Sequence, residues 1–595
     1  MEQVKHETEK HLPDKFWILS AVIITIIAYI PAVNYDFLWD DAHYLAAKHM
    51  AFNLDNLHYW LVNTSLALYT PVTSYSLMLD YNLFNDSTVA YHIHNLLLHC
   101  GSVIIFTAIM KKLRISVPIA AAIAVLWAVH PQRVPSLVWI SERKDVLVVF
   151  FAMASFYTYL AACQKKKFSV MSPVFLLLSL GAKPAAIGLV IVMLAYTFRH
   201  KRGWREIKFL VPNIAVTALY LVIFSHIQKF GSSASSSIGI LQKLWVVTHN
   251  LMWYLCSGFV PFQLNPVYPK VSPPSLSYLP LACGFILLSL FLCIAVSMVK
   301  RFSLKLKIWF VVAMGLCWGA IFAPVSGIFK IGSTDYCDRY NYLLSAIPWV
   351  MLAILLRQTR EKWTKDHILR RLFPAGFAFI LCFYWYMNWS YMPVWSNCEI
   401  LFFRATQSEY PNPKAIENMG LAGIDKNNLK LIELASRKFL FLADPKNKVP
   451  FYPEQIQRNV WFCSGYFLKA YAMYLQGDQA GAFPIFFKLQ KLAEKKLLRF
   501  YKKNRYKEKL FGALASCYLN LKRPQDALVA LENQLRVLEP GSFDALFNQG
   551  LTAFLKKDFA SAVKYWEAAS AIRPEDKKVI YNLDAARKRQ KQSGK

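Results

Sequence analysis

The chain has 595 residues, of which 56% are hydrophobic, 15% aromatic and only 17% charged. A soluble globular protein carries about 25% charged residues, so the composition argues against a soluble enzyme and indicates membrane spans. The formal net charge of +32 would suggest a nucleic-acid partner for a soluble protein. Here the basic residues cluster in short loops between apolar runs, which membrane topology explains better, and we expect no nucleic-acid partner.

Eleven apolar runs meet or approach the length of about 20 residues that a bilayer span needs. The first run, 16–33, lacks a small-residue cleavage site, so it is predicted to remain as an uncleaved helix after a cytoplasmic N-terminus at 1–15. The other runs lie at 91–110, 116–130, 145–163, 168–182, 184–198, 207–226, 278–299, 308–323, 342–357 and 372–388. The fold class predicted for 16–390 is therefore an all-α, polytopic membrane domain.

Loop charge orients these runs. Lysine and arginine concentrate in five loops, at 111–114, 164–168, 198–208, 300–307 and 357–371. Placing all five in the cytoplasm satisfies the positive-inside rule and puts everything after about residue 390 on the opposite side. The loops before and after the apolar segment 241–269 both lie outside on this map, so the segment cannot cross the membrane. Its Trp and Tyr content favours an interfacial or re-entrant helix. If it crosses instead, the later half of the map reverses.

The first outer loop, 34–90, contains the stretch YDFLWDDAHYLA at 35–46. It places two adjacent carboxylates, Asp40 and Asp41, just beyond the outer end of the first helix. Further along this loop, apolar residues recur at helical spacing in LDNLHYWLV (54–62) and VTSYSLMLDYNLF (72–84). These two stretches are expected to form helices at the membrane surface.

After residue 390 the composition changes, and two stretches repeat with a period near 34, ending at Pro540 and Pro574. Small residues where paired helices touch, a bulky residue four positions later and a closing proline are typical of tetratricopeptide (TPR) repeats. Ala527 matches Ala562 in this pattern, and Leu531 matches Trp566. Weaker units at 401–422 and 470–487 would supply the minimum number that a solenoid needs. We predict a TPR domain over 391–585 and a basic tail at 586–595; a helical domain without true repeats is the alternative.

Ionisable residues gather on the outer side of this map, where they are functional candidates by default. Cations can hold a phosphate and stabilise it as it leaves, and a carboxylate can accept the proton of an attacking hydroxyl. The set therefore suits a phosphate-bearing lipid substrate. Its members are Asp40 and Asp41; His130, Arg133, Glu142, Arg143, Lys144 and Asp145 in the second outer loop; Lys183 in the third; and Asp335, Asp338 and Arg339 in a later one.

Plainer explanations exist for some of these residues. The stretch from Arg143 to Asp145 is compatible with a solvated loop, and Arg339 with an interface anchor. Lys183 is harder to dismiss, because a lone lysine between two apolar runs is costly. The polar residues of the helix at 91–110 are better explained by helix–helix hydrogen bonds than by a metal site; they are His92, His94, Asn95 and His99. The 11 cysteines include no CxxC pair and are interpreted as small buried hydrophobic residues.

Motifs in order along nearly the whole chain resemble the TMTC family, the transmembrane and TPR-containing O-mannosyltransferases, and their bacterial relatives among the GT-C glycosyltransferases. They are FLWDD (37–41), YTPVTSYSLMLDYNLF (69–84), AYHIHNLLLH (90–99), VHPQRVPSLVWISERKDVL (129–147), AKPAAIGLV (182–190), LNPVYP (264–269), DRYNYL (338–343) and the lead-in to the repeats, VWSNCEILFFRATQSEYPN (394–412).

This resemblance implies a GT-C glycosyltransferase that acts on the extracytoplasmic face. The donor would be a polyprenyl-phosphate-linked sugar, mannose in the family's name, and the acceptor a hydroxyl on a protein or peptide docked by the TPR arm. We accordingly predict catalysis by Asp40 and Asp41, with a preference for Asp41 as the base. Donor phosphate would be bound by Arg143, Lys144, Lys183 and Arg339, with support from His130, Glu142, Asp338, His92 and Asn95.

Several alternatives stay open. No metal ligands are predicted, although a divalent cation, Mg²⁺ or Mn²⁺, is compatible with such a reaction. The loop motifs favour a bacterial inner membrane over the endoplasmic reticulum. The family's second loop commonly reads close to HPxHVE, whereas Arg133 and Pro135 stand here in place of its second His and its Glu, which leaves the sugar open. A non-enzymatic scaffold would not explain the clustered acids and bases, and a transporter should bury its charges nearer the midplane.

Overall fold

The computed structural model describes residues 12–45, 49–66, 68–198, 203–228, 240–261, 263–269, 304–328, 334–408, 410–447, 455–494 and 505–593. Within these ranges the chain is all-helical and has no strand, as predicted. It divides into two compact units, Met1–Ala405 and Thr406–Lys595. The run predicted at 278–299 lies outside the described residues.

The helices of the first unit are α1 Asp14–Tyr29, α2 Asp41–Leu45, α3 Leu54–Val62, α4 Pro71–Phe84, α5 Thr88–Lys112, α6 Val117–Ala128, α7 Val134–Val138, α8 Arg143–Lys165, α9 Met171–Ala182, α10 Leu189–Thr197, α11 Gly203–Glu206, α12 Val211–Ile227, α13 Ile240–Ser257, α14 Leu304–Phe322, α15 Asn341–Leu344, α16 Ala346–Lys365, α17 His367–Tyr391 and α18 Cys398–Ala405. Every predicted apolar run that falls within the described ranges overlaps one of these helices.

Several helices are apolar enough to cross a bilayer, so the chain is a membrane protein. Among the described residues, three are also long enough: Asp14–Asn34, Thr88–Lys112 and Ile140–Lys165. Two bent pairs raise this number to five if each is one span: Val117–Ala128 with Pro131–Val138, and Asp338–Leu344 with Ala346–Thr359. Shorter apolar helices lie at Met171–Ala182, Pro184–Thr197, Val211–Ile227 and Val312–Val325. The count of eleven crossings stays a prediction.

Contacts between helix ends fall into two groups. At the ends that carry basic loops, the contacts are Lys111 Nζ to Asp14 Oδ2 at 2.7 Å, Lys112 Nζ to Gln164 Oε1 at 3.3 Å, and Arg357 Nη1 to the Leu113 carbonyl at 3.1 Å. At the other ends, Tyr29 donates its hydroxyl to the Ala128 carbonyl at 2.9 Å, and Trp389 donates its indole N–H to the Ala28 carbonyl at 3.2 Å. The helices therefore alternate in direction as loop charge predicts.

The segment 241–269, which has no crossing on the loop-charge map, packs near the outer ends through α13. Asn250 donates from Nδ2 to the carbonyls of Ser326 and Asp335, both at 2.9 Å. The Cys337 N–H donates to the Tyr254 hydroxyl at 3.4 Å. These partners belong to the outer loops, so the contacts favour the interfacial or re-entrant placement.

Both helices predicted in the first outer loop are present. The Asn53 side chain caps α3 by accepting the Asn56 N–H at 2.8 Å, and Pro71 starts α4 at a position where its missing N–H costs nothing. Tyr75 ties the two helices together by donating its hydroxyl to the Leu57 carbonyl at 2.7 Å. The loop is therefore a small folded layer; its position at the membrane surface stays a prediction.

The described part of the second unit contains four helix pairs and a final helix: α19 Pro413–Asp425 with α20 Leu429–Ala443, α21 Gln455–Leu475 with α22 Gln479–Glu494, α23 Arg505–Asn520 with α24 Pro524–Leu535, α25 Phe543–Leu555 with α26 Phe559–Ile572, and α27 Lys577–Ser593. Each helix packs chiefly against its neighbours in the chain, as repeat proteins do.

The repeat positions predicted from sequence are buried. Ala527 and Ala562 are 0% exposed, and the bulky Leu531 and Trp566 are 2% and 1% exposed. A Cβ atom on Gly550 would lie 2.4 Å from Trp566 Nε1, so this helix contact requires glycine. The pairing of helices follows the predicted pattern, whereas the assignment to the TPR class stays a prediction.

Candidate active site

Charged side chains from three separate loops meet around Glu142, whose side chain is 3% exposed. Lys144 Nζ lies 3.2 Å from Glu142 Oε1, Arg339 Nε lies 3.1 Å from the same oxygen, and Lys183 Nζ lies 3.9 Å from Oε2. Lys183 Nζ also lies 2.5 Å from Asp145 Oδ1. We call these five residues the cation cluster. With ordinary ionisation, its three cations and two carboxylates leave one net positive charge.

Breaks between helices place these residues. Lys144 and Asp145 lie in the first turn of α8, directly after the turn that ends at Glu142. Lys183 is extended, with φ −166° and ψ 140°, between α9 and the turn Pro184–Gly188. A Cβ atom on Gly188 would lie 2.3 Å from the Ala320 carbonyl oxygen, so only glycine lets α14 approach this turn.

Aromatic rings cover the cations. The Arg339 guanidinium lies 5.3 Å from the ring centres of both Trp139 and Tyr340, and Lys183 Nζ lies 5.0 Å from Tyr340. Lys144 Nζ lies 5.9 Å from the rings of Trp139 and Tyr44. Aromatic faces attract cations and exclude water, which strengthens the cluster's interaction with an anion.

Asp41 joins the first outer loop to the second. Its side chain is buried, and it accepts the N–H of Leu38 on Oδ2 at 2.8 Å and the N–H of Ser141 on Oδ1 at 2.6 Å. Burial raises the pKa of the Asp41 carboxyl to about 7. Both oxygens are thus committed to backbone donors.

Asp40 is half-buried and close enough to Lys144 for their charges to interact. The residue before it, Trp39, has a φ of 45°, a region that bulky residues rarely adopt. The Trp39 ring stacks on Trp139 with centres 4.8 Å apart, and the Trp39 backbone N–H donates to Cys398 Sγ at 3.3 Å. Packing therefore holds an unfavourable backbone conformation beside Asp40, which is common at functional sites.

Arg143 does not join the cation cluster, although it precedes Lys144. It is 0% exposed and forms an ion pair with Asp80. Its Nε donates to Asn95 Oδ1 at 2.7 Å, and its Nη2 donates to the Tyr91 carbonyl at 3.0 Å. All three guanidinium nitrogens are thus engaged with α4 and α5, and Asn95 serves to hold Arg143.

The remaining supporting candidates contact residues outside the cation cluster. His92 Nε2 lies 3.2 Å from the Tyr35 carbonyl, and His130 Nδ1 accepts the Gln132 N–H at 3.3 Å. Asp338 Oδ1 accepts hydrogen bonds from Gln132 Nε2 at 3.2 Å and from the Tyr268 hydroxyl at 2.9 Å. The two contacts of Asp338 orient the turn that carries Arg339.

Arg133, where the sequence departs from the family pattern, faces the helix bundle. It is 0% exposed, donates from Nε to the Trp127 carbonyl at 3.2 Å, and also donates to Ser345 Oγ. Its guanidinium lies 5.1 Å from the Tyr342 ring centre. Its contacts join α6 to the start of α16 and do not include the cation cluster.

Sequence reasoning missed Asp80, Gln132 and Trp139 as parts of this region. Asp80 had a usable signal: a single carboxylate inside an apolar helical stretch is costly unless it is paired. Gln132 and Trp139 carried no such signal. Among the described residues, no group of three or more His, Cys, Asp and Glu side chains is placed to hold a metal ion. The divalent cation stays an expectation from the sequence, and no step is assigned to Mg²⁺ or Mn²⁺.

Comparison with known proteins gives a sequence relative over a short stretch and a distant structural likeness. No family model matches the chain. A protein O-mannosyl-transferase of Caenorhabditis elegans is 27% identical over 151 residues, which are 23% of this chain and 22% of the relative. Apo ArnT from Cupriavidus metallidurans aligns over 88% of this chain and 81% of its own, with 14% identity and a TM-score of 0.35. The sequence match supports the resemblance to the TMTC family over less than a quarter of either chain.

Proposed function

We propose that the chain is a membrane glycosyltransferase of the GT-C type. It transfers a sugar, mannose by the relative's name, from a polyprenyl-phosphate-linked donor to a hydroxyl on the extracytoplasmic face. The observation that carries this proposal is the meeting of Lys144, Lys183 and Arg339 around Glu142, beside the half-buried Asp40. In such a site the cations can stabilise the leaving phosphate, and the carboxylate can accept the proton of the acceptor hydroxyl.

The cations bind the donor phosphate and stabilise it as the leaving group. When the acceptor oxygen bonds to the sugar carbon, the bond from that carbon to the phosphate oxygen breaks and the electron pair stays on the phosphate. Its charge therefore grows during the reaction. Fixed cations in a water-poor site stabilise that charge without reorganising, and such stabilisation is commonly a large contribution to catalysis.

Asp40 is the base in this proposal, and Asp41 is a positioning residue. The acceptor hydroxyl proton passes to the Asp40 carboxylate as the new bond forms. Asp41 is less suited to this because its side chain is buried, and two backbone N–H groups hold its oxygens in place. This reverses the preference for Asp41 that sequence alone suggested. Arg143 likewise becomes a positioning residue, which fixes the start of α8 through Asp80.

Replacement of Arg339 should weaken donor binding. In the Arg339→Ala variant we expect the donor Kd to rise about tenfold to a hundredfold, because a lost hydrogen bond to a charged group costs about 1.5–3 kcal/mol. Arg339→Lys should recover only part of the affinity, since the planar two-pronged geometry is lost. Binding of a polyprenyl-phosphate sugar to the purified full-length protein measures this, together with acceptor-dependent release of polyprenyl phosphate.

Arg357→Ala is the matched control, because this exposed arginine lies at the opposite ends of the helices, against the Leu113 carbonyl. It should leave donor affinity unchanged. Wild-type affinity in the Arg339→Ala variant removes Arg339 from the site. The wild-type protein should release polyprenyl phosphate when an acceptor is added. If it binds the donor but releases none, the proposed glycosyltransferase activity is contradicted.

The second unit is proposed to dock the protein acceptor. Its paired helices resemble a solenoid, whose concave surface suits extended peptides. A groove of about 220 Å³ in this unit is lined by both polar and apolar side chains, among them Gln549, Lys556 and Tyr565. Such a groove can bind peptide backbone as well as side chains.

Removal of Thr406–Lys595 should therefore separate docking from chemistry. We expect donor binding to persist, and glycosylation of a protein acceptor to fall more than that of a short hydroxyl acceptor. Parallel measurement of both acceptors checks this. An equal effect on the two acceptors would assign the second unit to another task, such as assembly.

The second unit is also proposed to lie outside the cytoplasm, in the periplasm of a bacterial cell or, alternatively, in the lumen of the endoplasmic reticulum. The five basic loops support this placement. A reporter that is active only outside the cytoplasm, fused after Lys595, should be active, and a reporter fused within 164–168 should be silent. Activity of a cytoplasm-specific reporter after Lys595 would contradict both the topology and the outer location of the cation cluster.

A further inference from the structure

Glu142 stands where a bound anion would be expected. Its carboxylate is buried and faces all three cations of the cation cluster, at 3.1, 3.2 and 3.9 Å. Among the ion pairs of the described residues, the other carboxylate of the cluster, Asp145, pairs with Lys183 alone, and it also lies within hydrogen-bonding reach of Glu142. Glu142 is thus the shared counter-ion of the three residues proposed to bind phosphate.

The contact between Glu142 and Arg339 is incomplete. Arg339 Nε lies 3.1 Å from the carboxylate but makes no hydrogen bond, because the geometry is unfavourable. In this arrangement Glu142 Oε2 also has no hydrogen-bond partner, so the carboxylate is not aligned with all three cations at once. A phosphate group has more oxygens in a tetrahedral arrangement, so it can accept from several donors simultaneously.

We propose that Glu142 is an internal counter-anion, which the donor phosphate displaces on binding and which returns to the cations when polyprenyl phosphate leaves. This inference rests on the proposed function. The carboxylate keeps the three cations gathered before the donor arrives. It also competes with the phosphate for the cations. This competition limits the affinity for polyprenyl phosphate, so that the product can leave after each transfer.

The Glu142→Gln variant tests this, because it keeps the shape of the side chain and removes the competing charge. We expect the purified full-length variant to bind polyprenyl phosphate about tenfold more tightly, the scale of one hydrogen bond to a charged group. The product should dissociate correspondingly more slowly, so steady-state turnover should fall while the first turnover stays fast.

Asp145→Asn is the matched control, since it also removes a carboxylate from the cation cluster, but one whose ion pair among the described residues is with Lys183 alone. It should increase polyprenyl phosphate affinity less than Glu142→Gln does. Equal increases in the two variants, or unchanged or weaker binding by Glu142→Gln, overturn the counter-anion role while leaving the proposed function in place. Failure of the wild-type protein to bind polyprenyl phosphate overturns both.

Loss of the carboxylate removes the counter-ion that the three cations share and leaves Asp145 as the one carboxylate of the cluster, so the variant is expected to be less stable. Polyprenyl phosphate should restore it, because a ligand that binds only the folded state raises the unfolding temperature. The increase in this temperature on adding polyprenyl phosphate should be larger for Glu142→Gln than for the wild-type protein. An equal or smaller increase overturns the proposal even where affinities cannot be measured.

Discussion

The Asp40→Asn variant should bind the donor as the wild-type protein does and lose about a hundredfold to ten-thousandfold of its transfer rate, the usual contribution of a general base. A serine or threonine hydroxyl is a poor nucleophile, and asparagine cannot take up its proton. Asn is nearly isosteric with Asp, so the cation cluster should stay intact. Single-turnover transfer at saturating donor, compared with donor affinity, measures the effect.

Asp41→Asn provides the contrasting variant. An asparagine side chain has only one oxygen, so it can satisfy the N–H of Leu38 or that of Ser141 but not both. This variant should lower the unfolding temperature as well as activity, whereas Asp40→Asn should lower activity alone. Transfer at the wild-type rate by Asp40→Asn would show that Asp40 is not the base.

The Asp80→Ala variant should lower the free energy of unfolding by about 3–5 kcal/mol, the cost of leaving one partner of a buried ion pair unpaired. Asp80 and Arg143 are 1% and 0% exposed, and Arg143 has no other carboxylate partner among the ion pairs of the described residues. Reversible unfolding in mixed micelles measures the loss.

Asp14→Ala is the matched control, because its partner Lys111 and Asp14 itself are 59% and 52% exposed. An exposed ion pair contributes about 0–1 kcal/mol, so Asp14→Ala should leave the free energy of unfolding nearly unchanged. Combining Asp80→Ala with Arg143→Met should recover much of the loss, since no buried charge is then left unpaired. Equal stability of Asp80→Ala and Asp14→Ala would contradict a structural role for the buried pair.

The sequence by itself predicts the helices and their directions. Apolar runs of sufficient length have to be helical in a membrane, because every backbone group must be hydrogen-bonded internally. When all basic loops are placed on one side of the membrane, the directions of the helices follow. Lys111 contacts Asp14 at one side and Tyr29 contacts Ala128 at the other, in agreement with those directions. In the second unit, Ala562 and Trp566 are buried where the repeat pattern places them.

Only the tertiary structure decided which charged residues share a site. Arg143 and Lys144 are neighbours in sequence, and residue type gave both the same prediction. Successive positions on a helix point about 100° apart, so one side chain contacts Asp80 and the other Glu142. Asp40 and Asp41 are also neighbours with different surroundings. Asp41 accepts two backbone N–H groups, whereas Asp40 lies close to Lys144. Which neighbour reaches the site depends on the elements that pack against each side, and those elements are distant in the chain.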